Sequence, residues 1–141
     1  MIWFSEFTVE DLNNRPKNHL GGLIGIEFTE IGEDYLKGTM PVDERTHQPA
    51  GILHGGASVV LAETLGSIAS YMCIDPELYQ AVGLEINANH LRPVKSGKVT
   101  GVCTVLHRGA KTHVWEIKIY DERGKMNCVS RITVAVIPKM K

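Results

Sequence analysis

Residues 55–73 read GGASVVLAETLGSIASYMC, and this stretch decides the fold. It is too long for one strand and lacks the alternation of apolar and polar residues that a half-buried strand requires, so it predicts a helix. Its residues are apolar or small on almost every side, which indicates a helix that is buried rather than half-exposed. A helix of this kind needs a sheet that curls around it.

The segments before this helix predict two strands and a functional loop. A short amphipathic helix is expected at 6–14, where Thr8 and the acids that follow it form a typical helix start. Strands are expected at 22–32 and 34–41, joined by a tight turn. The irregular residues 42–53 form a loop whose length is typical of functional loops.

The segments after this helix predict four consecutive strands with turn residues between them. The expected strands are 80–92, 98–108, 111–121 and 125–137. Consecutive strands joined by short turns form a mainly antiparallel sheet. The predicted class is therefore α+β, with a curved antiparallel sheet wrapped around one long central helix.

Length, composition and charge limit the possible functions. The chain has 141 residues with 43% hydrophobic residues, which suits one domain spanning 1–141. Its formal charge of −1 and scattered basic residues argue against binding to nucleic acid or to an anionic membrane. No segment resembles a signal peptide or a membrane span, so we expect a soluble cytoplasmic protein.

Neither a metal site nor a cofactor is expected. The histidines form no i,i+4 pair on a helix, which is the spacing typical of a metal site. Cys73, Cys103 and Cys128 have no CxxC spacing and no adjacent histidine. This pattern argues against a disulfide framework and a zinc knuckle, and it gives little support to a thiol nucleophile.

Glu63 is the most informative residue of the helix. It is the only Asp, Glu, Lys, Arg or His between His54 and Asp75. A carboxylate in a buried helix is costly unless it is hydrogen-bonded, paired or used. Burial would also raise its pKa, which suits a general base. The alternatives are that this face of the helix is solvated or that Glu63 pairs with an arginine.

A second candidate site lies where the loop meets the helix, at QPAGILHGG, residues 48–56. Backbone N–H groups at a helix start have no partner within the helix and carry partial positive charge. Glycine there lets a ligand oxygen approach the backbone, so Gly55 is a candidate for an oxyanion site. Gln48 and His54 would add donors to the same oxygen. Alternatively, the glycines only permit a tight entry into the helix.

Ser67 and two polar clusters are weaker candidates. Ser67 follows Glu63 by four residues on the same helix face. Its hydroxyl would either orient a water beside the carboxylate or bond to its own helix backbone. The clusters at 87–93 and 107–113 contain basic residues that would hold phosphates, and solvated turns are the alternative.

Residues 48–67, together with GLEINANH at 83–90, resemble the hotdog-fold acyl-CoA thioesterases, in particular their PaaI-like branch. The likeness extends from Met1 to Ile137. It implies a curved antiparallel sheet around one long helix, and dimers that often pair into tetramers. It also implies active sites built by both subunits at the dimer interface. The implied reaction is hydrolysis of aromatic acyl-CoA thioesters without a cofactor, with 1,4-dihydroxy-2-naphthoyl-CoA of menaquinone biosynthesis as one candidate substrate.

The resemblance also assigns roles to individual residues. Glu63 would be the catalytic carboxylate, acting as a nucleophile or as a general base on water. The Gly55 N–H would polarise the thioester carbonyl, Gln48 and His54 would position it, and Ser67 would assist the hydrolytic step. The groove for CoA and substrate would be lined by His54, Gly83, His90, Leu91, Arg92, Pro93, His107, Arg108, Gly109, Ala110, Lys111 and Thr112.

Three alternatives stay open at this point. A misacylated acyl or aryl carrier protein would present the same thioester as CoA. A hydratase or dehydratase would use His54 and Glu63 as an acid–base pair, although the Asp-x5-His spacing familiar in that class is absent. A non-catalytic regulator would bind acyl-CoA without releasing the thiol.

Overall fold

The structure is a computed structural model that describes residues 1–140. Six strands form one sheet in the order β1-β2-β4-β5-β6-β3, and every neighbouring pair is antiparallel. The strands are β1 Glu27–Ile31, β2 Tyr35–Pro41, β3 Tyr79–His90, β4 Lys98–Arg108, β5 Thr112–Tyr120 and β6 Met126–Pro138. The helices are α1 Val9–Asn13, α2 Leu20–Leu23 and α3 Gly55–Met72. The predicted α+β class and hotdog arrangement are confirmed.

Helix α3 lies close against the sheet because glycines line the contact. A methyl group at Gly101 of β4 would lie 2.6 Å from Cδ1 of Leu65, too close for a real contact. Leu61, Leu65 and Ala69 are fully buried between the helix and the strands. Because protein interiors are close-packed, this short separation fixes the position of α3 on the sheet. The same contact fixes the direction in which its opposite face points.

The opposite face of α3 is open, so the prediction of a helix buried on all sides is wrong for the single chain. Glu63 and Tyr71 are exposed on this face, and Tyr71 keeps 38% of its surface accessible. The sheet covers only one side of α3. On the opposite side of α3, α1 and α2 leave a cavity next to the helix. None of the helices within residues 1–140 is long and apolar enough to cross a membrane.

A buried hydrogen-bond network joins α3 to β5. Nε1 of Trp115 donates to Oγ of Ser70 at 2.7 Å, and Nδ1 of His113 lies 3.0 Å from the same oxygen. The Ser70 hydroxyl thus accepts from Trp115 and forms a second hydrogen bond with Nδ1 of His113. Burial lowers the pKa of His113, and the nearby charges of Arg108 and His107 lower it further.

The N-terminal region contains one correction to the predicted strands. Helix α1 begins with the expected capping box, in which Thr8 and Asp11 each bond to the other's backbone N–H. The strand predicted at 22–32 begins only at Glu27, because the preceding residues form α2. Nδ1 of His19 caps this short helix by accepting from the Gly22 N–H at 3.3 Å. Histidine is not a strong cap signal in sequence, so the pattern places Gly22 in the strand and does not indicate α2.

One edge of the sheet is closed by a side chain. Nδ2 of Asn13 donates to the Phe28 carbonyl of β1 at 2.8 Å, and the Phe28 N–H donates to Oδ1 of Asn13 at 2.9 Å. This pair of bonds reproduces what a neighbouring strand would supply. The outer edge of β1 is therefore blocked near its start, at Phe28.

The other edge of the sheet is open. Strand β3 is 12 residues long, and within residues 1–140 no residue hydrogen-bonds to its outer edge. Leu84 is the extra residue of a bulge between Gly83 and Glu85, where the register with β6 shifts. Val82 and Leu84 are 43% and 62% exposed. A long edge strand with exposed apolar side chains is a ready surface for another strand.

Candidate active site

The first part of the candidate site is the start of α3. His54 is the N-cap residue, and its Nδ1 accepts from the Gly56 N–H at 2.8 Å. The Gly55 N–H occupies the first helical position, where no intrahelical bond can form, and it has no partner within residues 1–140. This N–H is therefore free to bind a ligand oxygen. Nε2 is the ring nitrogen of His54 that capping leaves available.

A cleft of about 500 Å³ lies next to this helix start, and we call it the helix-start cleft. It is lined by Gln48, Ile52, Leu53, Gly55, Ser58, His90, Leu91, Arg92, Pro93, Val94 and Asn127. Oε1 of Gln48 accepts from the Ala50 N–H, so its NH2 group is the part available to donate. The structure thus brings two predicted carbonyl donors, Gln48 and Gly55, into one cleft with the predicted segment His90–Pro93. His54 is not among the lining residues.

The absence of a side chain at Gly55 allows His90 to lie against the helix start. A methyl group at Gly55 would be 2.8 Å from Nε2 of His90. His90 is the last residue of β3, so the end of this strand and the start of α3 form adjacent walls of the cleft. Gly55 therefore provides both a free N–H and the space for an imidazole beside it.

A second cavity of about 630 Å³ lies at the middle of α3, and we call it the mid-helix cavity. Glu63, Thr64, Ser67 and Ile68 line it from the helix, and residues from α1 to β1 line it from the other side. Glu63 and Ser67 share this cavity, as their spacing predicted. The apolar side chains of Leu12, Ile26 and Phe28 form part of its wall. The basic residues Arg15 and Lys17 also line it.

Glu63 is exposed in the single chain, so the prediction of a buried carboxylate is wrong. Its Oε2 lies next to the bulge of β3, where a methyl group at Gly83 would be 3.1 Å away. Gly83, which the resemblance placed in the substrate groove, thus lies beside the carboxylate of Glu63. No described cation forms an ion pair with Glu63, so the alternative of a structural salt bridge has no support within residues 1–140.

Not all of the predicted site residues meet in one chain. Glu63 and Ser67 line one cavity, whereas Gln48 and Gly55 line the other. The hairpin residues His107, Arg108, Gly109, Ala110, Lys111 and Thr112 line neither cavity. This hairpin lies in register with Ala81 and Val82 at the opposite end of β3 from His90. One guanidinium nitrogen of Arg108 donates to the Ile2 carbonyl at 3.3 Å.

Sequence reasoning missed several lining residues of both cavities. Ile26 and Phe28 were missed because their alternation in the predicted strand indicates only a common core face, not a cavity wall. Ser58 and Asn127 are buried polar residues of the helix-start cleft, 1% and 2% exposed. The signal for Asn127 is a polar residue near the start of strand β6, which is rich in valine and isoleucine from Val129 onward.

The cysteines have the environment of structural thiols. None of the three lines either cavity. Burial raises the pKa of Cys73 to about 11 and raises the pKa of Cys103 even more. A thiol must ionise to become a strong nucleophile, and burial opposes that ionisation. The three cysteines therefore give no support to a thiol nucleophile.

Comparison with known proteins identifies the family. A family model described as the thioesterase superfamily matches residues 50–128, more than half of the chain. The chain belongs to the thioesterase superfamily. This superfamily member is a thioester hydrolase. It is 52% identical to 1,4-dihydroxy-2-naphthoyl-CoA hydrolase of Escherichia coli over 137 residues, which cover 97% of this chain and 100% of that protein.

Other relatives of this thioesterase agree with the assignment. Proofreading thioesterase EntH of Cronobacter turicensis is 51% identical over 138 residues, 97% of this chain and 99% of that protein. A crystal structure of a mutant thioesterase from Pseudomonas aeruginosa superposes with a TM-score of 0.97 at 51% identity, covering 99% of this chain and 100% of that chain. A thioesterase structure from Haemophilus influenzae gives 0.95 at 50% identity, covering 100% and 98%.

Proposed function

We propose that this thioesterase hydrolyses acyl-CoA thioesters, with a preference for aromatic acyl groups, and that two copies of the chain build each active site. The similarity to an enzyme named for a naphthoyl-CoA substrate supports an aromatic acyl group. We include 1,4-dihydroxy-2-naphthoyl-CoA, and with it a role in menaquinone biosynthesis, as the first substrate to test.

The chemistry assigns separate tasks to the two ends of the site. The Gly55 N–H and the NH2 group of Gln48 would bind the thioester carbonyl oxygen and stabilise the charge that develops on it. Glu63 would either attack the carbonyl carbon or remove a proton from the water that attacks it. In both routes the carbon–sulfur bond breaks and the thiol leaves. In the first route water then cleaves the anhydride formed on Glu63 and restores its carboxylate; in the second, the proton that Glu63 takes from water passes to the leaving sulfur. Ser67, which shares the mid-helix cavity with Glu63, would orient the water.

The observation that carries the proposal is the separation of these groups in one chain. The donors lie in the helix-start cleft and the carboxylate in the mid-helix cavity. The open edge of β3 has Gly83 beside Glu63 at one point and His90 beside Gly55 at another. If β3 paired antiparallel with β3 of a second copy, a two-fold axis would place the Gly83 end of one strand beside the His90 end of the other. Each carbonyl site would then face the partner subunit's Glu63.

The mid-helix cavity has the character of an acyl pocket. Its volume of about 630 Å³ lies in the range that small-molecule sites occupy. Ile26, Phe28 and Ile68 would contact the faces of an aromatic ring, whereas Arg15 and Lys17 would favour hydroxyl or anionic ring substituents. These contacts support a hydroxyaryl group over a long aliphatic chain.

The CoA portion would follow the basic segments that the resemblance indicated. Arg92 lies in the helix-start cleft, and Arg108 and Lys111 lie in the β4–β5 hairpin. Guanidinium and ammonium groups bind phosphates through charge-assisted hydrogen bonds. Because the hairpin is remote from the cleft in one chain, we propose that it serves the site shared with the second copy.

The first experiment measures thiol release from benzoyl-CoA, hydroxybenzoyl-CoA, 1,4-dihydroxy-2-naphthoyl-CoA, and short and long aliphatic acyl-CoAs. The aromatic thioesters should react fastest, and E63Q should remove their turnover. Fast turnover of aliphatic thioesters alone would contradict the aromatic preference. Full activity of E63Q would contradict the assigned chemistry.

The second experiment tests the shared site by mixing two impaired variants, E63A and Q48A. In a mixed dimer, one of the two sites combines an intact Gln48 with an intact Glu63. Unfolding and refolding the variants together should therefore restore about a quarter of wild-type activity by random pairing. Separately refolded variants are the control. No recovery, from variants that do form mixed dimers, would contradict a site built from two copies.

A carrier protein is the alternative thioester donor, because the relative EntH is named a proofreading thioesterase. Assays of a misacylated aryl carrier protein and of the matching aryl-CoA, with the same variants, distinguish a carrier-protein substrate from a CoA substrate. A kcat/KM at least tenfold higher for the carrier would favour that function.

A further inference from the structure

Arg15 stands at the end of the mid-helix cavity that is remote from the start of α3. It lines this cavity, and its guanidinium carbon lies over the ring of Tyr71, 5.4 Å from the ring centroid. Tyr71 follows the lining residues Ser67 and Ile68 by one helical turn. Because helical side chains lean toward the N-terminus of their helix, the ring of Tyr71 lies toward this end of the cavity.

An aromatic pair gives the guanidinium of Arg15 a preferred place. The rings of Phe7 and Tyr71 meet edge to face, with centroids 6.4 Å apart and an interplanar angle of 61°. A cation over a ring is attracted by the negative charge of the ring face. Arg15 is exposed in the chain, so this attraction is what holds its charge beside the cavity rather than elsewhere in solvent.

The N–H groups of Arg15 remain available to a ligand. No carboxylate within residues 1–140 forms an ion pair with Arg15. Contact with an aromatic ring occupies the face of the guanidinium and leaves the donors at its edge free. The far end of the cavity therefore has a positive charge with directional donors, which suit a carboxylate or another anionic oxygen.

The position of this charge along α3 indicates where the anionic group would lie in the substrate. Tyr71 follows Glu63 by eight residues, which is about 12 Å along a helix axis. Glu63 is the only acid among the residues that line the cavity, and it would repel an anionic group close to the thioester. An unsubstituted single ring is too short to approach Arg15, whereas a two-ring acyl group with a substituent at its far end approaches it.

We propose that Arg15 is a specificity-determining residue that selects acyl groups with an anionic group at the end remote from the thioester. Tyr71 is the positioning residue that keeps the guanidinium at this end of the cavity. The inference rests on the proposed function, in which the thioester lies at Glu63 and the acyl group occupies the mid-helix cavity. It adds the charge of the acyl group and the place of that charge.

The test compares 6-carboxy-2-naphthoyl-CoA with 6-methyl-2-naphthoyl-CoA, which differ in charge at the far end of the acyl group. The ratio of their kcat/KM values, carboxy over methyl, should be about tenfold higher in wild type than in R15Q, the effect of one hydrogen-bonded charge pair. Because the same ratio is compared between two variants, the effect of the substituent on the reactivity of the thioester cancels.

Two variants of Tyr71 test the positioning role, and one distant variant controls for net charge. Y71L removes the ring and should lower the ratio several-fold, whereas Y71F keeps the ring and should keep the wild-type ratio. K98Q removes one positive charge at an exposed residue outside both cavities, and it should also keep the wild-type ratio.

The outcomes separate this inference from the proposed function. With turnover that depends on Glu63, a wild-type ratio in R15Q would overturn the role of Arg15, and so would an equal fall of the ratio in K98Q. A wild-type ratio in Y71L would overturn the positioning role of Tyr71. Wild type that hydrolyses neither compound, or turnover that survives in E63Q, would contradict the proposed function itself.

Discussion

At the scale of the residue, the identity of Glu63 could be predicted but its surroundings could not. A lone carboxylate in an apolar helix stands out in sequence, and so do Gln48 and the glycines at the helix start. The exposure of Glu63 depends on which side of α3 the sheet covers, which is a tertiary property. Asn127 gave only a weak signal, because the burial of a polar side chain is recognised only after its neighbours are known.

The first prediction concerns Glu63. E63Q should lower kcat by about 10²–10⁴-fold, the usual contribution of a positioned acid or base. Its unfolding free energy should stay within about 0.5 kcal/mol of wild type, since the side chain is exposed and forms no ion pair within residues 1–140. Thiol release and thermal melting check both. The matched control is E77Q, which changes another exposed carboxylate outside both cavities and should react normally.

A second prediction concerns the thiols. Because burial raises the pKa of Cys73 to about 11, very little thiolate exists at neutral pH. Iodoacetamide at pH 7.5 should therefore modify the folded chain slowly and leave thioester hydrolysis intact. Intact-mass measurements beside the activity assay follow both quantities. Rapid inactivation that parallels alkylation would argue for a thiol in the mechanism.

At the scale of the element, the long helix and the later strands could be predicted, whereas the N-terminal segment could not. Periodicity and turn residues placed α3 and the four strands β3 to β6 within about two residues of their observed ends. The strand predicted at 22–32 was wrong because His19 caps a short helix, a contact between side chain and backbone that periodicity does not reveal. The open face of α3 was missed since composition alone does not tell which neighbour covers a helix.

A third prediction concerns the network between α3 and β5. The pKa of His113 is lowered below 6.5 in the folded chain, so the unfolded state binds the proton first as pH falls. The contribution of His113 to stability should be complete above about pH 6.5 and lost progressively toward the lower pKa of the folded state. Urea unfolding between pH 8 and 5 measures it. H113Q should flatten this profile, and H47Q, at a histidine outside the network, should retain it.

A fourth prediction concerns the start of α3. His54 caps the helix through the 2.8 Å bond from the Gly56 N–H. H54A should therefore destabilise the chain by about 1 kcal/mol, the usual effect of losing an N-cap. H54N should restore most of this loss because asparagine is a good cap. If H54N recovers stability but not kcat, the free Nε2 has a role in the reaction besides capping.

At the scale of the whole molecule, the two edges of the sheet differ, and we expect this difference to decide which edge a second copy would use. Strand β3 is long and apolar at its outer edge, whereas Asn13 blocks β1. The resemblance implied paired subunits, but the sequence did not reveal which edge was free. The tetramer stays a prediction that light scattering can check against the 15.6 kDa mass of one chain.

A fifth prediction follows from the exposed bulge. L84K places a charge at the open edge and should oppose strand pairing. The measured mass should fall toward that of one chain, and thiol release should fall with it, because the two halves of each site separate. L20K is the matched control, since Leu20 is 58% exposed and lies on α2, away from β3. A monomeric L84K that keeps full activity would contradict a shared site.

The hydrogen bonds from the Asn13 side chain to Phe28 of β1 have a consequence for how many copies a shared sheet could contain. A sheet with two free edges can recruit copies at both ends and polymerise, as in amyloid growth. Here, one edge is occupied by an amide from the same chain, so two copies that join through the other edge leave no free end. Extension of the sheet would then stop at two copies. Asn13 would act as a chain terminator, and we expect its loss to leave β1 open to further strands.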